Sequence, residues 1–165
     1  MIPADIDTIL FDWGGTLMSE AGPGTVSMAW WPEVQALAGA QATLAALSSR
    51  YRIAVATNAS VSSRPQIEHA LQRVDLLRHV AAVFCYTELG VKKDDARFWS
   101  AVTSALQVPA ERLLMVGDVL EQDVLAPRRS GLAAIWFNPA AAPVPDGVPS
   151  VTALPQLLPL LLGPA

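Results

Sequence analysis

Five short runs along the chain are apolar on both faces instead of alternating: Thr8–Asp12 (TILFD), Arg52–Thr57 (RIAVAT), Val80–Tyr86 (VAAVFCY), Leu113–Gly117 (LLMVG) and Ala133–Phe137 (AAIWF). A strand with one wet face would alternate, so these runs predict strands of a parallel sheet covered on both sides. Between them apolar residues recur at helical spacing. Ala40–Ser49 repeats Ala and Leu, and Pro65–Leu77 puts Ile67, Ala70, Leu71 and Val74 on one face. Asp94–Gln107 opens with two acids that suit a helix N-terminus and carries a stripe of Phe98, Val102 and Leu106. Glu121–Ser130 stops at Gly131, a good C-terminal cap. Five strands joined by helical crossovers predict an open α/β sandwich. Seven of the 13 prolines fall between Pro139 and Pro164, so an irregular loop leaves the sheet. A short Leu-rich segment, Leu154–Leu162, is then expected to dock on the core, its prolines excluding a long helix.

Composition narrows the function classes. The chain has 165 residues, of which 52% are apolar and 16% charged, against about 25% charged in an ordinary soluble domain. That length suits one domain with a buried core, residues 1–165. Fifteen acids against 11 bases give a net charge of −4, which lacks the basic footprint of a nucleic-acid binder. No Lys/Arg run offers an anionic membrane a landing site. A spanning helix needs about 20 apolar residues, and Leu154–Leu162 is too short and holds Pro155 and Pro159. No secretory signal pattern opens the chain, and the single cysteine, Cys85, cannot form an internal disulfide. A soluble, cytoplasmic protein is the expectation.

The candidate chemistry sits where the strands end. Phe11-Asp12-Trp13-Gly14-Gly15-Thr16-Leu17 puts a carboxylate beside a glycine turn at the end of the first strand. Open parallel sheets bind ligands outside the carboxyl ends of their strands. The second strand ends in Thr57-Asn58, offering a hydroxyl and backbone N–H groups to an anion. Gly90-Val91-Lys92-Lys93 supplies a cation, and the fourth strand ends in Gly117-Asp118, with Asp123 shortly after. Oxygen ligands from two strand ends, with no His or Cys cluster, suit Mg²⁺ better than zinc. Asp12, Asp118 and Asp123 against Lys93 place half the net charge at one site.

These residues resemble the four ordered motifs of the haloacid dehalogenase (HAD) superfamily, over about Thr8 to Phe137. The resemblance implies a Rossmann-like, five-stranded parallel sheet in order 5-4-1-2-3. It implies that Asp12 is a nucleophile forming an aspartyl-phosphate, and that Thr57 and the Asn58 N–H hold phosphoryl oxygens. It makes Lys93 the cation between nucleophile and phosphate, Lys92 being the alternative that fits the spacing less well. Mg²⁺ would be held by Asp12, the Gly14 carbonyl, Asp118 and Asp123, the last directly or through water.

The chain departs from that pattern twice. Phosphatases of the superfamily carry a second Asp two residues after the nucleophile, to protonate the leaving group and activate water. Here that position is Gly14. Loss of general acid–base help is worth about 10²–10⁴-fold in rate. The expectation is therefore a slow Mg²⁺-dependent phosphatase acting on a phosphate monoester or related phosphoryl compound. Two alternatives stand beside it: a non-catalytic phosphate- and Mg²⁺-binding module, and, with less weight, phosphonate or haloacid hydrolysis. Glu20 is read as a solvated loop residue, with a displaced acid as the alternative. The second departure is size, since residues 18–56 between the first two motifs leave no room for a helical cap domain once the helix into the second strand is formed. An uncapped site admits larger phosphorylated substrates or a covering subunit, and leaves room for a homodimer. Trp30-Trp31-Pro32 is read as packing for the incoming helix, and His69, His79 and Arg128-Arg129 as solvated surface.

Overall fold

The computed structural model describes residues 1–163, so the last two residues of the expected domain lie outside it. The elements in chain order are β1 (Thr8–Phe11), α1 (Ala40–Leu47), β2 (Arg52–Thr57), α2 (Arg64–Arg73), β3 (Ala82–Cys85), α3 (Tyr86–Leu89), α4 (Ala96–Leu106), β4 (Leu113–Gly117), α5 (Ala126–Arg129), β5 (Ala133–Phe137), β6 (Ser150–Val151) and α6 (Leu157–Leu162). Every strand pairing is parallel. The strands read as apolar on both faces because each face packs against a separate core. Ile9, Phe11, Ile53, Val55, Leu114 and Val116 point to one, which also takes residues of α1, α2 and α6. Leu10, Ala54, Ala56 and Met115 point to the other, against Phe98, Trp99 and Val102 of α4.

The sheet has six strands in the order β3-β2-β1-β4-β5-β6, not five. The extra strand extends the expected order at the β5 edge. Ser150 and Val151 align with Trp136 and Phe137, the Trp136 N–H donating to the Pro149 carbonyl and the Asn138 N–H to Val151. Two residues inside a proline-rich loop carry no periodicity to read; the open edge of β5 and the burial of Val151 make the strand. The Leu-rich segment does dock, as a 3₁₀ turn followed by α6 with Leu157 and Leu161 buried.

Helix boundaries follow local chemistry. Asp95, not Asp94, caps α4 by accepting from the Arg97 N–H, and α2 starts with a Ser63/Gln66 capping box. The expected Glu121–Ser130 helix is composite: a π-helical stretch, Leu120–Leu125, leads into α5. Such wide turns occur often at functional sites. Between β1 and α1 the chain forms one 3₁₀ turn, Met28–Trp30, and otherwise loop. Among the described residues no helix is long and apolar enough to cross a membrane.

Candidate active site

β1 lies between β2 and β4, with Phe11 level with Val55 and Val116. The residues that follow therefore emerge together at one end of the sheet, and the Asp12 N–H is still held by the Val116 carbonyl at 2.9 Å. After Asp12 the chain turns tightly, with the Leu17 and Met18 N–H groups both donating to the Trp13 carbonyl. Gly15 has φ +79°, and a Cβ there would stand 2.7 Å from Asp118 Oδ2. Both facts require glycine. Thr16, fully buried, donates its hydroxyl to Asp118 Oδ1 at 3.1 Å. On β4, Gly117 leaves the space that the Asp123 carboxylate fills. Asp123 comes from the π-helical stretch, and its Oδ2 accepts the Val119 N–H at 2.9 Å.

Lys93 is the centre of the arrangement. Its ammonium donates to Asp12 Oδ1 at 2.8 Å, to Asp123 Oδ1 at 2.6 Å and to the Ala56 carbonyl at 3.1 Å. Those three bonds use all its donors, which is why so long a cation is tolerated at 1% exposure. The backbone is fixed too: the Trp99 indole N–H donates to the Lys93 carbonyl and the Lys93 N–H to Asn58 Oδ1. Lys92 instead lies exposed over the Tyr86 ring, away from the carboxylates. Asn58 is further held by donating to Gln122 Oε1 at 3.0 Å. Buried Thr57 accepts the Ala59 N–H at its Oγ1 and keeps its own proton to donate.

Three carboxylates and one ammonium leave the site short of positive charge. Oxygens of Asp12, Asp118 and Asp123 lie within 4.8 Å of one another. Burial raises the Asp12 pKa to about 6, Lys93 offsetting only part of the penalty. Burial likewise raises Asp123 to about 6, helped by the charge of Asp12. Asp118 is also raised, chiefly by burial. For Lys93, burial pulls the pKa down but the two carboxylates outweigh it, so the ammonium is held above its ordinary value. An all-oxygen donor set with surplus negative charge fits a hard dication, and among the described residues no backbone N–H uses the Gly14 carbonyl.

A cavity of about 470 Å³ opens over this group, of the size that holds a small ligand. Asp12, Gly14, Thr57, Asn58, Lys93 and Asp118 all line it. Asp123 does not; it stands behind Lys93. Part of the wall is the loop before α1, through Val26, Met28 and Trp31. Trp31 is buried, its indole N–H donating to the Pro23 and Val26 carbonyls, whereas Trp30 is 63% exposed and rests on His69. Arg129 pairs with Glu121 on the exposed face of its helix. Sequence reasoning passed over Gln122, Trp99 and Trp136, whose indole N–H holds the Asp118 carbonyl at 2.9 Å. Each acts across a long sequence gap or through backbone, which leaves no motif. Glu20 is exposed as expected, but it lines the cavity as well.

Residues 26–131 match the model of the haloacid dehalogenase-like hydrolases. The chain belongs to this family. The match takes in Thr57, Asn58, Lys93, Asp118 and Asp123, and begins after Asp12. This HAD-like hydrolase is 31% identical over 113 residues to a pyrimidine 5′-nucleotidase, YjjG, of Escherichia coli (strain K12), covering 68% of the chain and 49% of that protein. The chain thus spans about half the length of this curated relative. Its fold is shared with an uncharacterized protein from Listeria monocytogenes serotype 4b (TM-score 0.81, 24% identity, 95% of this chain and 99% of that one). It is shared also with the magnesium-bound YfnB of Bacillus subtilis (TM-score 0.77, 18% identity, 94% and 98%).

Proposed function

We propose that this HAD-like hydrolase cleaves phosphate monoesters through Asp12, with Mg²⁺ as cofactor. The observation that carries the reading is the buried Asp12–Lys93–Asp123 group with Asp118 beside it, set at the floor of a cavity rimmed by Thr57 and Asn58. Similarity to a nucleotidase favours phosphorus over a halogen-bearing carbon as the atom that Asp12 attacks.

An Asp12 carboxylate oxygen attacks phosphorus and the bond to the leaving oxygen breaks, giving an aspartyl-phosphate on Asp12. Water then attacks that phosphorus, the Asp12–phosphoryl bond breaks, and inorganic phosphate leaves with the carboxylate restored. Splitting one displacement into two lowers each barrier. Lys93 holds Asp12 Oδ1 and offsets the charge as an anion approaches; the Thr57 hydroxyl and the Asn58 N–H take phosphoryl oxygens. Asp12, the Gly14 carbonyl and Asp118 would hold the metal, with Asp123 acting through water or through Lys93. Bound Mg²⁺ supplies charge neutralisation between the two anions that must meet. Part of the cavity wall is the loop before α1, and we read the site as uncapped and open to sizeable phosphorylated substrates.

The test is turnover of an aryl phosphate with and without Mg²⁺, beside Asp12→Asn. Metal-dependent release of phosphate that the substitution abolishes is expected. Unchanged activity in Asp12→Asn overturns the nucleophile. Mg²⁺ binding with neither turnover nor a beryllofluoride adduct at Asp12 marks a non-catalytic module instead.

A further inference from the structure

The position two residues beyond Asp12 has no side chain, yet the space beside it is occupied. A Cβ built on Gly14 would overlap the Glu20 carboxylate, with Glu20 Cδ at 2.8 Å and Cγ at 2.9 Å. The Gly14 backbone is not in the left-handed region, so conformation does not demand glycine there. What occupies the space is the carboxyl end of the Glu20 side chain. Glu20 and Asp12 line the same cavity, and among the described residues the Glu20 carboxylate has no ion-pair partner.

Its place is set by the backbone around it. Met18 bridges both Gly14 and Ala36, and the Ser19 N–H donates to the Gln35 carbonyl at 2.9 Å. The Gly22 N–H closes a turn onto the Glu20 carbonyl at 2.8 Å. The chain therefore doubles back over its own glycine turn and delivers a carboxyl from six residues downstream.

We infer that Glu20 supplies the carboxyl that Gly14 lacks, as the catalytic group that meets the leaving oxygen and then the attacking water. The inference rests on the phosphatase reading above. As Asp12 attacks and the phosphorus–oxygen bond breaks, the Glu20 carboxyl gives its proton to the departing oxygen, releasing the alcohol. The Glu20 carboxylate then takes a proton from the water that attacks the aspartyl-phosphate, so phosphate leaves and Glu20 ends protonated as it began.

The test compares first-turnover alcohol release from alkyl and p-nitrophenyl phosphates, with Mg²⁺, in wild type, Glu20→Gln, Glu20→Ala, Asp12→Asn and the double variant Gly14→Asp/Glu20→Ala. Glu20→Gln should slow alkyl phosphate cleavage about 10²–10⁴-fold and p-nitrophenyl phosphate much less, because a good leaving group needs little protonation. Gly14→Asp should restore alkyl phosphate cleavage in the Glu20→Ala background, where the space is vacated, returning a carboxyl to it. Equal loss on both substrates, no loss on the alkyl ester, or no rescue overturns the role of Glu20 while a dead Asp12→Asn leaves the phosphatase reading intact. Activity surviving in Asp12→Asn, or an inert wild type, overturns both.

Discussion

The two sides of Asp12 are built on opposite principles. Toward β2 and β4, Lys93, Asp123 and Thr57 are buried at 3% exposure or less, and every Lys93 donor is used. Toward the loop, Glu20 is exposed and held only through its backbone. The buried side is dry and crowded, so its charges interact strongly, and removing Lys93 strands two carboxylates. The exposed side can exchange protons and shift with a substrate. A nucleophile needs the first kind of surroundings, and a group that must serve leaving oxygen and water in turn needs the second.

Substitutions should separate the two sides by size of effect. Asp12→Asn heads the order, with turnover falling about 10⁴-fold or more in a steady-state phosphate assay, since the residues act as a unit. Next, Lys93→Met strands two buried carboxylates and should lower stability by about 3–5 kcal/mol in urea unfolding at pH 7.5. That loss should shrink at pH 5, where the carboxylates can take up protons. A third test uses metal-free protein. Asp12 is raised from 3.8 to about 6, so across that window the folded chain keeps a proton that the unfolded chain has released. Its contribution to stability therefore declines as pH rises through the window and stays low above it. Asp12→Asn should consequently be more stable than wild type above pH 6, by on the order of 2–3 kcal/mol at 1.36 per unit, with the gain gone near pH 4. Mg²⁺ should raise the wild-type melting temperature at pH 7.5 and do little for Asp12→Asn.

Two smaller effects sharpen the contrast. Trp136→Phe loses one N–H bond to the Asp118 carbonyl and should cost about 1 kcal/mol, read by thermal unfolding. Glu20→Gln should change stability by no more than about 0.5 kcal/mol. A large loss there would mean that Glu20 holds the loop together, contradicting an exposed side chain held only through its backbone.

Most of the buried side was legible in the chain. Asp12, Thr57, Lys93 and Asp118 each follow a readable strand or open a helix, and parallel strands deliver such residues to one end of the sheet. Lys93 was preferred over Lys92 on spacing, and the structure separates them by burial. Asp123 was recognised, but its place behind Lys93, outside the cavity lining, depends on a π-helical turn that apolar periodicity does not reveal. β6 escaped because two residues have no pattern. Glu20 reads in the chain as a solvated loop residue or a displaced acid; it is exposed, and only the folded loop shows that its carboxyl lies against Gly14.

By itself, then, the sequence determined the layered parallel sheet and which strand ends would carry charge. Burial on both faces writes itself into every position of a strand, and short motifs at strand ends are contiguous in the chain. Tertiary structure alone decided which side chain fills the space beside Gly14, how two acids share one ammonium, and where the sheet stops. Those outcomes depend on contacts between segments far apart in the chain, or on a loop closing over its own turn, and local pattern does not encode either.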